Sequence, residues 1–195
     1  MRMYLSSFRL GDHPEQLVAL TGEKRRVAVI ANAMDAAPAE IRHDSVLREV
    51  TALTALGYQP TEVDLRTADP ATALDGFGVV WVRGGNAFVL RAALAASGAD
   101  VVLTDLIRTE AVVYGGYSAG CCVLAPSLRG LELVDDPSAA ATVHWDGLGI
   151  LDYAFVPHYR SDHPESADVE KVAEHYRAAG VPHRLLRDGE AIVVT

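Results

Sequence analysis

Gly115-Gly116-Tyr117-Ser118-Ala119-Gly120 follows the apolar run Ala111-Val112-Val113-Tyr114 and precedes Cys121-Cys122-Val123-Leu124. Small residues flank a hydroxyl where a strand gives way to a helix, so the backbone can turn tightly and hold Ser118 Oγ at the sheet edge. In such a turn the Ala119 amide lies at a helix N-terminus, where partial positive charge favours a developing oxyanion. The chemistry expected is acyl transfer through a serine nucleophile. The Gly-x-Ser-x-Gly pattern alone does not separate peptidases from esterases and other acyl-transfer enzymes.

A serine hydroxyl needs a base at neutral pH. Of the seven histidines, His158 follows Pro157 at the end of the apolar run Tyr153-Ala154-Phe155-Val156, a position that can hold a ring rigidly at the sheet edge. His163, five residues on, competes for that role and is a candidate substrate contact. His43 and His175 fall in helical stretches. For the acid that orients the imidazole, Asp188 lies in a turn between two terminal apolar segments, with Glu190 close by. Asp135 and Asp136 form a second pair, which a solvated turn before Pro137 also explains. After Val79-Val80-Trp81-Val82, Gly84 and Gly85 can bring backbone amides to a ligand, and one of them can complete an oxyanion hole with Ala119. Asn86 either orients that loop against substrate or caps the helix that follows.

The elements around these residues alternate. Apolar strands are expected at Val27–Ile30, Thr61–Leu65, Val79–Val82 and Tyr153–Val156, with a further strand before Ser118. Helices are expected from Pro38 to Gly57, Ala87 to Ala96, Asp100 to Arg108 and Ala167 to Ala179. His183–Leu186 and Ala191–Val194 read as a terminal strand pair around Asp188-Gly189. Continuous apolar strands separated by helices predict a mostly parallel sheet covered on both faces, with ligands beyond the strands' carboxyl ends. The loops Arg83–Asn86, Gly115–Gly120 and Pro157–His163 would then share one edge. Residues 127–146 are the least regular and are expected to cross near it.

At 195 residues the chain reads as one domain, 1–195, able to bury its own core. A formal charge of −9 with no Lys/Arg stripe argues against a nucleic-acid partner. No apolar run reaches a membrane-spanning length, and Met1–Phe8 is too short for a signal-peptide core, so the expected location is cytoplasmic with no membrane partner. Oligomeric state is left open, a homo-oligomer included. The adjacent Cys121 and Cys122 are poorly placed for a structural disulfide and read as small apolar fillers beneath the turn.

Arg83-Gly84-Gly85-Asn86-Ala87-Phe88, Gly116-Tyr117-Ser118-Ala119-Gly120, Val156-Pro157-His158-Tyr159 and Leu186-Arg187-Asp188-Gly189-Glu190 together resemble the dipeptidase E-like serine peptidases, peptidase family S51. The resemblance covers most of the chain. It implies a three-layer α/β/α fold of the class I glutamine amidotransferase-like type. It also implies Ser118 as nucleophile, His158 as base, and Ala119 and Gly85 as oxyanion donors. Asp188 is favoured as the third catalytic member, and Asp135 is retained as an alternative or supporting acid. The roles require no metal or cofactor, and the implied substrate is a short peptide or small amide. Ser161-Asp162-His163-Pro164-Glu165-Ser166-Ala167-Asp168 departs from the aspartyl dipeptidases, which carry a longer loop and a basic residue there. Arg160 or Arg83 would have to supply that charge, with Gly84, Asn86 and His163 as further substrate contacts. The alternatives are hydrolysis of a small non-peptide amide or ester, and a non-catalytic ligand-binding or regulatory protein.

Overall fold

The computed structural model describes residues 1–195. In chain order the elements are β1 (Met3–Ser6), α1 (Glu15–Thr21), β2 (Arg26–Ile30), α2 (Ala39–Ala55), β3 (Gln59–Glu62), α3 (Pro70–Ala73), β4 (Val79–Val82), α4 (Ala87–Ser97), α5 (Ala99–Arg108), β5 (Val113–Tyr117), α6 (Ala119–Cys122), β6 (Ala154–Val156), α7 (Ser166–Ala178), β7 (His183–Leu185) and β8 (Ala191–Val194). Six strands form a mixed sheet in the order β3-β2-β4-β5-β1-β8. All neighbours are parallel except β1 and β8.

Alternation along the strands builds the layers. Val27 and Val29 join Leu17 of α1 and Leu53 of α2 in one apolar cluster. Ala28 and Ile30 face the other cluster, with Leu90 of α4, Leu103 of α5 and Val172 of α7. The central strands β4 and β5 are buried along their whole length, which is why they read as continuous apolar runs rather than alternating ones. Helices therefore cover both faces, giving the expected α/β fold. No single helix is long and apolar enough to cross a membrane; α4 and α5 are apolar together but bent by 93° at Gly98.

Three local expectations differ from the structure. The third strand is Gln59–Glu62 rather than Thr61–Leu65. The Val63 amide still bonds to Val29, but Leu65 has turned inward, its amide donating to Asn32 Oδ1. The strand before Ser118 runs on through Gly115 and Gly116 to Tyr117. The two terminal strands do not pair with each other. Instead, β7 joins β6 in a separate parallel pair. Antiparallel β8 closes the sheet against β1, a buried strand in a segment too short to read as one.

Because β4, β5 and β1 are adjacent and parallel, the loops that follow them emerge at one edge: Arg83–Gly85, Ser118, and Ser7–Phe8. Backbone contact sets the height of the central loop. A Cβ on Gly116 would lie 2.6 Å from the Val82 carbonyl oxygen, and one on Gly120 would also overlap that oxygen. Gly120→Ala should therefore push α6 off β4 and destabilise the fold by roughly 1–3 kcal/mol, read as a lower urea midpoint. An unchanged midpoint would show that the elbow can shift freely.

Candidate active site

Ser118 sits between β5 and α6 with φ 50° and ψ −120°, a left-handed conformation that a side chain adopts only at a cost. Its carbonyl accepts bonds from the Cys121 and Cys122 amides. The turn into α6 is thereby fastened from the C-terminal side. As the first residue of α6, Ala119 has an amide that the helix ladder leaves free. The loop after β4 presses against the same point: a Cβ on Gly84 would lie 2.9 Å from Ser118 Cβ. Gly85 has φ +145°, and a Cβ there would lie 2.7 Å from the Ala33 carbonyl oxygen. Only glycine fits both demands, and the Gly85 amide has no acceptor in the surrounding loops.

His158 ends the segment after β6 and also has positive φ, 58°. Its ring Nδ1 lies 2.7 Å from Asp188 Oδ1. That contact leaves Nε2 as the nitrogen able to accept a proton when the ring is neutral. Ser7 ties the pair together: its Oγ accepts from the His158 amide at 2.8 Å and donates to Asp188 Oδ1 at 2.9 Å. The Asp188 amide donates to Ser161 Oγ. Burial drives the His158 pKa below its ordinary value, and the Asp188 carboxylate opposes part of that shift. The outcome is a neutral imidazole at physiological pH.

Ser118, His158, Asp188, His163, Gly84 and Gly85 border one cavity of ≈ 910 Å³. His163 stacks on His158 with ring centroids 3.7 Å apart and planes within 7°. Phe8 presents an edge to both rings. The cavity's cations are Arg9, Arg48 and Arg83. Arg83 donates to the Gly84 carbonyl and pairs with buried Glu49 at 3.4 Å.

Other expected site residues lie elsewhere. Arg160 points outward, with its side chain 58% exposed beside Glu170, so of the two expected arginines only Arg83 borders the cavity. Asn86 caps α4, its Oδ1 accepting from Phe88 and Val89 while Nδ2 donates to the Asp136 carbonyl. That cap leaves its side chain no role in the cavity. Asp135 accepts from the Ala87 amide at 2.8 Å. It borders only a small void beneath Ser118 and Ala119, away from the His158–Asp188 contact. Cys121 and Cys122 are buried, and burial raises both thiols, as befits filler beneath the elbow.

Sequence reasoning passed over Ser7, Phe8 and Glu49. Ser7 and Phe8 carried no signal, because their segment did not read as a strand. Glu49 did carry one: it lies in the apolar stripe of α2 between Val46 and Leu53. Its oxygens accept from Trp81 Nε1 at 2.8 Å and Tyr117 Oη at 2.7 Å.

The model of peptidase family S51 matches residues 9–195. The chain is 29% identical over 129 residues to the uncharacterized peptidase Lmo0363 of Listeria monocytogenes, covering 64% of this chain and 62% of that protein. It is 33% identical over 129 residues to peptidase E of Streptomyces coelicolor, covering 62% of this chain and 50% of that one. The matches thus span less than two thirds of either relative. A crystal structure of a candidate peptidase E from Listeria monocytogenes EGD-e superposes with a TM-score of 0.82 at 24% identity, covering 99% of this chain and 93% of that one. At that identity the likeness concerns the fold.

Asp135 makes its own prediction. Burial pushes its carboxyl up to about 6, against the bond from Ala87, with Glu165 adding to the rise. A carboxyl with a raised folded-state pKa contributes stability below its unfolded value near 3.8 and loses it as pH rises through about 6. Asp135→Asn keeps an acceptor for Ala87 and removes the charge. It should gain on the order of 1–3 kcal/mol at pH 8 and little at pH 4, measured by urea unfolding at both values. A gain of equal size at both would show that the carboxyl's charge is not the cause.

Proposed function

The chain belongs to peptidase family S51, and from that membership and the site geometry we propose that it is a serine peptidase cleaving dipeptides or other short peptides. The observation that carries the reading is the 2.7 Å His158–Asp188 contact in the same cavity as the strained Ser118 elbow. His158 Nε2 takes the Ser118 proton as Oγ attacks the scissile carbonyl carbon. The Ala119 and Gly85 amides donate to the oxyanion. Asp188 keeps the proton on Nδ1 and offsets the imidazolium charge. His158 then protonates the leaving amine, and water, deprotonated by the same nitrogen, releases the acyl group and regenerates Ser118. The third member is Asp188; Asp135 acts on the fold beneath the elbow.

Arg83 and Arg9 are the groups we assign to an acidic substrate side chain or carboxylate, because they replace the outward-facing Arg160 as cavity cations. His163 and Gly84 border the same space. We assign these roles to residues 1–195 acting as one domain in the cytoplasm.

Hydrolysis of a dipeptide panel that includes Asp-X peptides tests the proposal. Ser118→Ala should lower kcat by about 10³-fold or more, and Asp188→Asn by about 10³–10⁴-fold. Turnover that survives Ser118→Ala would refute the nucleophile, while loss confined to amides and esters other than peptides would move the substrate class. The acid limb of kcat/KM reports the free enzyme's base, which must be neutral to act. With burial lowering His158, that limb should fall below pH 6.5. A limb above this value would mean that the Asp188 charge outweighs burial.

A further inference from the structure

The His158 ring makes one hydrogen bond, from Nδ1 to Asp188. Such a bond fixes one ring atom but not the plane, because the torsion that turns an imidazole on its stem has a broad minimum. Nε2, the atom that must meet the Ser118 hydroxyl, moves with that plane. The face of the ring is held by His163, whose centroid lies 3.7 Å away with the planes within 7°. Phe8 closes the edge of both rings at 5.7 and 5.4 Å. His163 is fastened in turn. Its Nδ1 accepts from the Glu165 amide at 3.3 Å, and its carbonyl accepts from the amide of Ser166, the first residue of α7. Pro164 disfavours helical backbone at His163, so the chain enters α7 only after the ring has been placed.

We propose that His163 is a positioning residue for the base: its ring face holds the His158 imidazole in the plane that keeps Nε2 on Ser118, before and after that imidazole takes the proton. Parallel rings direct their nitrogens along separate planes, so His163 neither hydrogen-bonds to His158 nor exchanges a proton with it. What it offers is its face. Because His163 Nδ1 accepts a bond, the ring hydrogen lies on Nε2 and the ring is neutral. Its π-face then meets the imidazolium that His158 becomes as an attractive neighbour. No bond is made or broken at His163. The same ring borders the open cavity, so a shorter side chain there would leave one face of His158 without support.

The effect on rate rests on the serine-peptidase reading, whereas the effect on the ring does not, so both are measured. With a peptide that the wild-type protein cleaves, His163→Ala should lower kcat about 10-fold or more, since a small displacement of the base is costly. KM should stay within about threefold, because a substrate contact would put the loss there instead. His163→Phe restores a flat face without ring nitrogens and should return kcat to within about threefold of wild type. In Ser118→Ala protein, proton NMR reads the His158 Nδ1 hydrogen shared with Asp188 as a low-field resonance. It should persist when His163→Phe is added and be lost to exchange when His163→Ala is added. His163→Gln, ringless but still an acceptor for the Glu165 amide, replaces the alanine variant if that one does not fold. If no Ser118-dependent turnover is found, the peptidase reading fails and the resonance alone decides. Unchanged kcat in His163→Ala, a loss that His163→Phe does not recover, or a resonance that survives His163→Ala would overturn the proposal.

Discussion

The site depends first on the absence of side chains between the elbow and β4. Gly116 and Gly120 lie against the Val82 carbonyl, Gly115 lies against the Trp81 ring, and Gly84 lies against Tyr117 and Ser118. A single Cβ at any of these positions would fall within 3 Å of a neighbouring heavy atom. With none present, β5 can run to its last residue beside β4 and then reverse into α6 within one residue. The positive φ at Ser118 costs about 1–3 kcal/mol. That cost is held by buried surroundings, since Tyr117, Ala119, Cys121 and Cys122 are all nearly inaccessible. The elbow is thus a consequence of sheet packing, which leaves the Ser118 side chain half-buried at the cavity.

His158 reaches the elbow by a different route. His158 leaves the small β6–β7 pair rather than the main sheet, so its position is not inherited from β5. Ser7, just beyond β1, makes the connection by bonding both to the His158 amide and to Asp188. Strand β1 is the direct neighbour of β5, which places Ser118 and His158 on adjacent rails. Antiparallel β8 adds the third tie: the turn before it is fixed by Ser7 N–H to Glu190 O and Asp12 N–H to Gly189 O. A change in β1 or β8 would therefore reach Asp188 before it reached Ser118.

Those routes explain what could be read from the chain. The strand at Val79–Val82 and helices α4 and α5 were legible because burial on both sides leaves long apolar runs. The Ser118 turn and the Gly84-Gly85 loop were legible because close backbone approach demands glycine. The pairing of β7 and β8 was not legible, since two short strands flanking Asp188-Gly189 look like a hairpin and only their remote partners decide otherwise. Asn86 and Asp135 were ambiguous for a related reason. A polar side chain near a helix start can cap the helix or face a ligand, and its neighbours in sequence are the same in both cases. For Ser7 the information lies entirely in tertiary contact.

The cavity also separates local charge from net charge. The protein carries a formal charge of −9, and Arg9, Arg48 and Arg83 border the cavity together with Asp12, Glu49, Glu165 and Asp188. Arg83 is kept there by Glu49, a carboxylate buried at 6% exposure whose other partners are Trp81 and Tyr117. A lone buried carboxylate would be costly. Two neutral donors bond to it and the guanidinium 3.4 Å away offsets its charge, while the bond from Arg83 to the Gly84 carbonyl holds the guanidinium beside that loop. At physiological ionic strength charges beyond about 8 Å are strongly screened, so a group entering the cavity feels these lining arginines and carboxylates more than the distant surface. The field inside the cavity is therefore set by how its own arginines and carboxylates are placed, Arg83 beside the α2 carboxylate among them, and the overall charge of the chain says little about it.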